Sequence, residues 1–195
     1  MKIGILALQG AVEPHLMHLR AAGVDVELLR TSAQLASPDI AGLILPGGES
    51  TTMLKLLDRF DMIDPLHRFA SEKPIWGICA GSILMAKKVS SPEQRSFSFI
   101  DVDVERNSYG RQLESFSVPL AGNSEVAFIR APRITRVGPD VVVKENFNGD
   151  PVWVSEGLHM ATTFHPELCP ERPSTLHREF VQRCEKAMSL SQKSR

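Results

Sequence analysis

The chain has 195 residues, 43% of them hydrophobic and 23% charged, with a formal net charge of -1. That length favours one domain over residues 1–195, with a core that needs no staples, and the near-neutral charge gives no pull toward nucleic acid or an anionic membrane surface. Three cysteines, Cys79, Cys169 and Cys184, are too few and too odd in number for a disulfide framework, which points to a reducing, cytoplasmic setting.

The first half alternates strand and helix patterns. "KIGILAL" is a continuous apolar run, as a strand buried on both faces requires. It is too short to span a membrane and lacks the small-residue cleavage pattern of a leader. "EPHLMHLRAAG" follows with helical spacing and a closing glycine. "DVELL" and "IAGLILPGG" read as strands, the second ending in glycines. "STTMLKLLDRF" reads as a helix capped by Ser50, and "DPLHRFASE" as another. "PIWGI" is a strand, and "AGSILMAKK" the helix after it. Repeated strand–helix–strand units imply right-handed crossovers and a mostly parallel sheet flanked by helices.

The second half is β-rich. "FIDVDVERN", "SFSVPL", "EVAFIRA", "ITRVG", "VVVKEN", "PVWVSE" and "HMATTFHPE" are short and separated by Gly, Pro and Asn turns. They predict antiparallel strands at the sheet edge or a hairpin layer over it. "STLHREFVQRCEKAM" is a closing helix with Ser174 as its cap, and residues 189–195 are a frayed tail. The expected class is α/β, and in such sheets ligands bind at the carboxyl ends of the strands. The turns at Gly47-Gly48 and Gly77 to Gly81 lie at such ends.

Four stretches carry candidate chemistry. The first is Gly77-Ile78-Cys79-Ala80-Gly81, which has the layout of a nucleophile elbow. The glycines permit a tight turn, and a helix N-terminus favours thiolate. The same stretch read alone suits a packed structural cysteine. Cys169 and Cys184 lack this setting and read as structural.

The second is "FHPE". If the backbone is extended there, His165 and Glu167 project to one side, and a carboxylate beside an imidazole can hold the ring while the ring moves a thiol proton. A lone His-x-Glu also fits a surface loop or half a metal site, but no second cluster of metal-ligating side chains accompanies it. The third is "LPGGEST", Leu45 to Thr51, whose glycines after a buried strand suit either an oxyanion hole or a plain β–α turn. It is not the Gly-x4-Gly-Lys phosphate loop. The fourth is "VERNSYGRQ" with "FIRAP". Arg106 and Arg130 there suit pairing with a carboxylate ligand, or surface charge.

Together these stretches resemble the class I, triad-type glutamine amidotransferases. "LALQGAVEPH", "LILPGGESTTM", "PIWGICAGSILMAKK", "DVDVERNSYGRQ", "VAFIRAP" and "ATTFHPEL" are similar to the glutaminase subunits of pyridoxal 5′-phosphate synthase within that class, from near residue 1 to about residue 168. The resemblance implies a flavodoxin-like fold with Cys79 as nucleophile, His165 as general base and then acid, and Glu167 as its orienting carboxylate. It implies an oxyanion hole at the Gly48 and Ala80 amides, and glutamine bound by Gly48, Glu49, Ser50, Arg106, Ile129 and Arg130. Gln9 matches a residue near the oxyanion strand and the subunit interface. The implied reaction hydrolyses the side-chain amide of L-glutamine through a γ-glutamyl thioester, with no cofactor and no metal. Its ammonia passes to a (β/α)8-barrel synthase subunit within a large complex. A flexible Gly47-Gly48 peptide that sits flipped until that partner docks would keep basal activity low.

Three stretches depart from the resembling subunits. Ile78 stands where threonine is common, "SSPEQRSFSFIDV" replaces a Gly-Leu-Leu run, and "CPERPSTLHREF" is longer and richer in proline. Rival readings use the same residues. An amidotransferase serving another synthase, such as the histidine-pathway one, fits "PGGEST" and "ERNSYGRQ" less well. A cysteine hydrolase of the intracellular protease or deglycase type fits the placement of "FHPE" less well. A non-catalytic binding module would have no reason to keep Cys79, His165 and Glu167.

Overall fold

The computed structural model describes residues 1–106 and 115–193. The first half lays down β1 (Lys2–Leu6), α1 (Glu13–Ala21), β2 (Asp25–Leu29), α2 (Ser32–Leu35), β3 (Ile40–Leu45), α3 (Ser50–Arg59), α4 (Ile63–Glu72), β4 (Ile75–Ile78) and α5 (Ala80–Met85). The second half adds β5 (Ala86–Ser90), β6 (Ile100–Glu105), β7 (Phe116–Leu120), β8 (Asn123–Phe128), β9 (Arg133–Val137), β10 (Val142–Phe147), β11 (Asp150–Glu156) and β12 (His159–Thr162). A 3₁₀ turn at Pro166–Leu168 and the long α6 (Thr175–Lys193) close the chain. Among the described residues no helix is long and apolar enough to cross a membrane.

Seven strands make the central sheet in the order β10-β11-β12-β4-β3-β1-β2. The five from β12 to β2 run parallel, and β11 and β10 extend the sheet as antiparallel edge strands. The parallel core with an antiparallel edge is the arrangement expected from the sequence. The apolar runs alternate between two cores, as a period of two demands. On one face Leu6, Leu43, Leu45 and Ile75 pack with Met53 and Leu57 of α3 and Leu66 of α4. On the other, Ile3, Ile5, Ile44, Trp76 and Ile78 meet Leu19 of α1 and Leu176 and Phe180 of α6. Cys184 is in this second core, and burial raises its pKa. A Cβ on Gly42 would lie 2.3 Å from its sulfur, so it packs as the structural cysteine the sequence suggests.

Two smaller sheets complete the fold, and the β8 strand of one reaches the carboxyl end of β12, where Ala127 bridges to His165. One has the order β5-β6-β9, and the other is the β7-β8 hairpin. The hairpin is locked by stacked aromatic rings of Phe116, Phe128 and Phe147, with Phe164 tilted against Phe128. Phe164 immediately precedes His165, so this stack fixes where the histidine emerges.

The structure corrects several local expectations. The helix after Cys79 stops at Met85, because residues 86–90 pair with β6 instead. Sheet pairing there overrides helix propensity. Glu49, not Ser50, caps α3: its carboxylate accepts the Thr51 and Thr52 N–H groups, at 3.3 and 2.7 Å. The short α2 was not anticipated, although Thr31 and Gln34 form a capping box. Ser174 precedes α6 as expected and accepts the His177 N–H at 3.3 Å. The helix then runs on to Lys193, through most of the stretch expected as a tail.

Candidate active site

β4 delivers Cys79 into a sharp turn. Its φ of 47° is left-handed, a region that L residues with a side chain avoid. The turn is pinned from both sides, by the Cys79 N–H on the Thr162 carbonyl of β12 at 2.8 Å and by the Ser82 hydroxyl on the Cys79 carbonyl at 2.7 Å. The two flanking glycines are needed for space. A Cβ on Gly77 would lie 2.6 Å from the Gly81 carbonyl oxygen, and one on Gly81 would lie 2.1 Å from that of Leu45. Ala80 opens α5, so its N–H is among those with no partner inside the helix.

His165 reaches the same place from the other side. Its N–H donates to the Ala127 carbonyl of β8 at 2.7 Å, which ties it to the hairpin. The chain then enters the 3₁₀ turn instead of continuing extended, so the expected geometry for "FHPE" does not hold. The turn, led by Pro166, brings His165 and Glu167 together instead: His165 Nδ1 and Glu167 Oε1 are 2.6 Å apart. With Nδ1 donating to Glu167, Nε2 is the nitrogen left for the thiol. Burial works against the imidazolium, but the Cys79 sulfur and the Glu167 carboxylate outweigh it and raise the His165 pKa to about 10. Burial alone would push the Glu167 carboxyl up, yet the histidines around it hold it below the ordinary range. Of those, His15 is kept neutral by its own burial, at about 4, so His165 is the charged partner at neutral pH.

The Leu45–Thr51 turn closes the site. Gly47 lies flat on the His165 ring, where a Cβ would be 2.3 Å from Cε1. The Gly47 carbonyl accepts the Ala11 N–H at 2.9 Å. In a trans peptide the Gly48 N–H then points to the opposite side, away from that turn. Gln9 Oε1 accepts the Glu49 N–H at 2.9 Å, which places Gln9 against this strand as expected.

A cleft of about 80 Å³ beside Cys79 gathers the expected residues. Gly48, Glu49, Ser50, Ala80, Arg106, Ile129 and Arg130 all line it, with Ile83 and Pro132 added. Larger clefts, of about 270 and 530 Å³, lie against α6 and are lined by neither cysteine nor histidine among the described residues. Chemistry, not size, marks the small one. Arg106 donates to Glu49 Oε1 at 3.3 Å and to Thr51 Oγ1 at 3.2 Å. Arg130 sits at a φ of 44°, a second strained residue on the rim. Of the "ERNSYGRQ" motif, Glu105 and Arg106 are described, and residues 107–112 lie outside the described residues.

Sequence reasoning missed four contributors. Gln94, in the divergent 90–100 segment, accepts from the Ser50 hydroxyl at 2.9 Å and the Thr51 hydroxyl at 3.2 Å. His15, His18 and His177 lie buried behind Glu167. The spacing of His15 and His18 on one helix face was a usable signal. Cys169 is buried too: it donates to the Glu171 carbonyl at 3.3 Å, and burial and Glu171 push its thiol to about 11, in keeping with a structural role.

The model of the SNO glutamine amidotransferase family matches residues 5–186. The chain belongs to that family. It is 46% identical over 187 residues to the pyridoxal 5′-phosphate synthase subunit PdxT of Shouchella clausii, covering 93% of this chain and 94% of that one. It is 43% identical over 189 residues to PdxT of Thermotoga maritima, covering 93% and 98%. Among solved structures, one described as a glutamine amidotransferase superposes with a TM-score of 0.85 at 37% identity, over 94% of this chain and 98% of that one. A putative GMP synthase protein from Thermoplasma acidophilum shares the fold at 17% identity, with a TM-score of 0.63, over 99% and 96%. The fold is thus the flavodoxin-like one of class I glutamine amidotransferases. Within this SNO family member, the cleft at the strand ends is the place to look for chemistry.

Proposed function

We propose that the chain is the glutaminase subunit of a pyridoxal 5′-phosphate synthase. The observation that carries the reading is the meeting of a cysteine on a strained elbow, in the wall of the cleft, with a histidine held by a buried carboxylate at 2.6 Å. Glutamine lies in that cleft against Gly48, Glu49, Ser50, Ile129, Arg106 and Arg130. Cys79, its proton taken by His165, attacks the side-chain amide carbon. The Gly48 and Ala80 amides stabilise the resulting oxyanion. His165 returns the proton to the departing nitrogen and ammonia leaves. His165 then deprotonates a water that cleaves the γ-glutamyl thioester, releasing glutamate and restoring the thiol. Glu167 holds the ring in one tautomer and stabilises its charged form. The reaction needs no cofactor and no metal.

The ammonia goes to the (β/α)8-barrel synthase subunit, out of contact with bulk water, in a cytoplasmic complex. The names of the relatives, all synthase subunits, support that assignment. The test is glutamate release from glutamine by the purified chain, alone and with the barrel subunit. A strong rise on adding the partner, absent in Cys79→Ala, is the expected result. Activity that ignores the partner would remove the synthase from the reading, and no activity in either case would remove the glutaminase.

A further inference from the structure

Behind Glu167, on the side away from the cleft, three histidines are buried together. His15 and His18 come from one face of α1, and His177 from the first turn of α6; none exceeds 1% exposure. The His18 and His177 rings stack, with centroids 4.3 Å apart, and the Trp76 ring stands edge-on to both His15 and His177.

The hydrogen bonds give these rings a direction. The Ser174 N–H donates to His18 Nδ1 at 3.1 Å. A backbone N–H can only donate, so the His18 proton is on Nε2 and goes to the Glu167 carbonyl at 3.0 Å. The second chain runs from Ser174 Oγ to His177 Nδ1, 2.6 Å, and from His177 Nε2 to His15 Nδ1, 2.9 Å. It ends at His15 Nε2, which faces Glu167 Oε2 across 4.0 Å. Those last two atoms are buried, and neither has a hydrogen-bond partner among the described residues.

The chain has two polarities. In one, the Ser174 hydroxyl donates to His177, His177 Nε2–H donates to His15, and His15 Nε2–H faces the carboxylate. In the other, every proton is reversed and a nitrogen lone pair faces a buried carboxylate oxygen. The first is attractive and the second repulsive, and a dry interior strengthens both effects. The carboxylate therefore selects the first.

We propose that His15 is a positioning residue for Glu167: its Nε2–H, directed by His177 and Ser174, steadies Oε2 while His165 takes Oε1. At 4.0 Å the contact is a charge–dipole one, longer than a hydrogen bond. With His15 neutral, the direction of the chain decides which nitrogen carries its proton; a charged ring would donate from both nitrogens and turn the bonds to His177 and Ser174 round. Burial keeps His15 neutral, at about 4, against the pull of Glu167 and with the push of His18 and His165. Burial, His15 and His18 hold His177 well below its ordinary value, and burial and Arg172 lower His18. The proposal rests on the reading of Glu167 as the carboxylate that orients His165.

The first test needs no turnover. A long-range proton–nitrogen correlation spectrum of the ¹⁵N-labelled full chain near pH 7.5 assigns each ring's tautomer. Nε2–H is expected at His15, His18 and His177; Nδ1–H at His15 overturns the proposal. The second test is kinetic, with the barrel subunit present. His15→Leu removes the N–H, and His15→Gln can return one near the same place. His15→Leu is expected to lower kcat about tenfold to a hundredfold, the range for lost partners of functional side chains, with KM nearly unchanged. His15→Gln is expected to recover most of that. Equal loss in both variants at unchanged Tm, or no loss in His15→Leu, overturns the proposal. If His15→Leu does not fold, the spectrum decides alone. A wild-type chain that releases no glutamate removes the glutaminase reading, while the tautomers still report on the relay.

Discussion

Glu167 has a cleft side and a buried side, and each presents a histidine. His165 on the cleft side is 2.6 Å from one carboxylate oxygen and is raised to about 10. His15 on the buried side is 4.0 Å from the other oxygen and is lowered to about 4. Both rings are almost wholly buried, so burial penalises the charge on both. What differs is the partner set. His165 has a direct hydrogen bond to the carboxylate and a thiol on its far side. His15 has a longer gap and two neutral histidines close by. One carboxylate thus supports a charged ring that moves protons and a neutral ring that can only orient. Distance and neighbours, not burial, separate the two.

The largest expected effects lie on the cleft side. Cys79→Ala should remove glutamate release by roughly 10⁴–10⁶-fold, the scale of losing a nucleophile, with the fold retained by circular dichroism. Turnover like wild type would end the assignment. Glu167→Gln should follow, with a loss of about 10²–10⁴-fold, because the amide cannot support the imidazolium and favours the wrong tautomer. If Glu167→Gln kept its full rate from acid to alkaline pH, the contrast between the two histidines would have no catalytic meaning.

Much of this arrangement was legible in the sequence, for identifiable reasons. The parallel sheet was readable because β1, β3 and β4 are unbroken apolar runs, as strands covered on both faces must be. Cys79 was readable because two glycines, each two positions away on either side, leave room for the turn. His165 and Glu167 were paired by spacing, but for the wrong geometric reason: a 3₁₀ turn, not an extended strand, brings them together. The cap of α3 was missed because Glu49 is long enough to fold back on its own helix, which Ser50 is not needed to do once Gln94 takes its hydroxyl. The buried histidines were missed because His177 joins His15 only through a contact spanning 162 residues, which no local pattern encodes.

The next test acts on the His165 ring without touching a titrating group. Gly47→Ala would place a methyl 2.3 Å from His165 Cε1. The ring must shift, and a displacement of about 1 Å in a catalytic group costs about 10²-fold. The expected result is a fall in kcat near that size, with Cys79 still labelled, more slowly, by a thiol-reactive glutamine analogue. An unaffected rate would show that the ring has slack, and that its close packing on Gly47 is incidental.

The same contrast predicts opposite pH effects on stability. The three lowered histidines take up a proton more readily unfolded than folded. Their contribution is complete above 6.5 and is lost as pH falls, for His15 down to about 4. Unfolding free energy should fall by about 1.4 kcal/mol per pH unit from His15 in that window, with His18 and His177 adding in the same direction. His165 behaves in reverse: its raised pKa gives stability that is complete below 6.5 and lost as pH rises through about 10. Urea unfolding between pH 4 and 7 checks the acid limb, and a flat curve there would mean that the buried histidines protonate freely in the fold.

The smallest effect comes from a carboxylate that resembles Glu167 in its hydrogen bonding but not in its burial. Glu49 accepts two backbone N–H groups of α3, the Thr52 hydroxyl and Arg106, with its side chain 47% exposed. Burial pushes its pKa up, and the Thr52 and Thr51 bonds together more than reverse that. Glu49→Ala removes an N-cap, so stability should drop by about 1 kcal/mol. It also releases Arg106 onto the cleft it lines, so KM for glutamine should change more than kcat, by less than about tenfold, as for one exposed ion pair. Water replaces what Glu49 supplies, whereas nothing replaces Glu167. If Glu49→Ala matched Glu167→Gln in lost kcat, burial of the carboxylate would not be what makes Glu167 decisive.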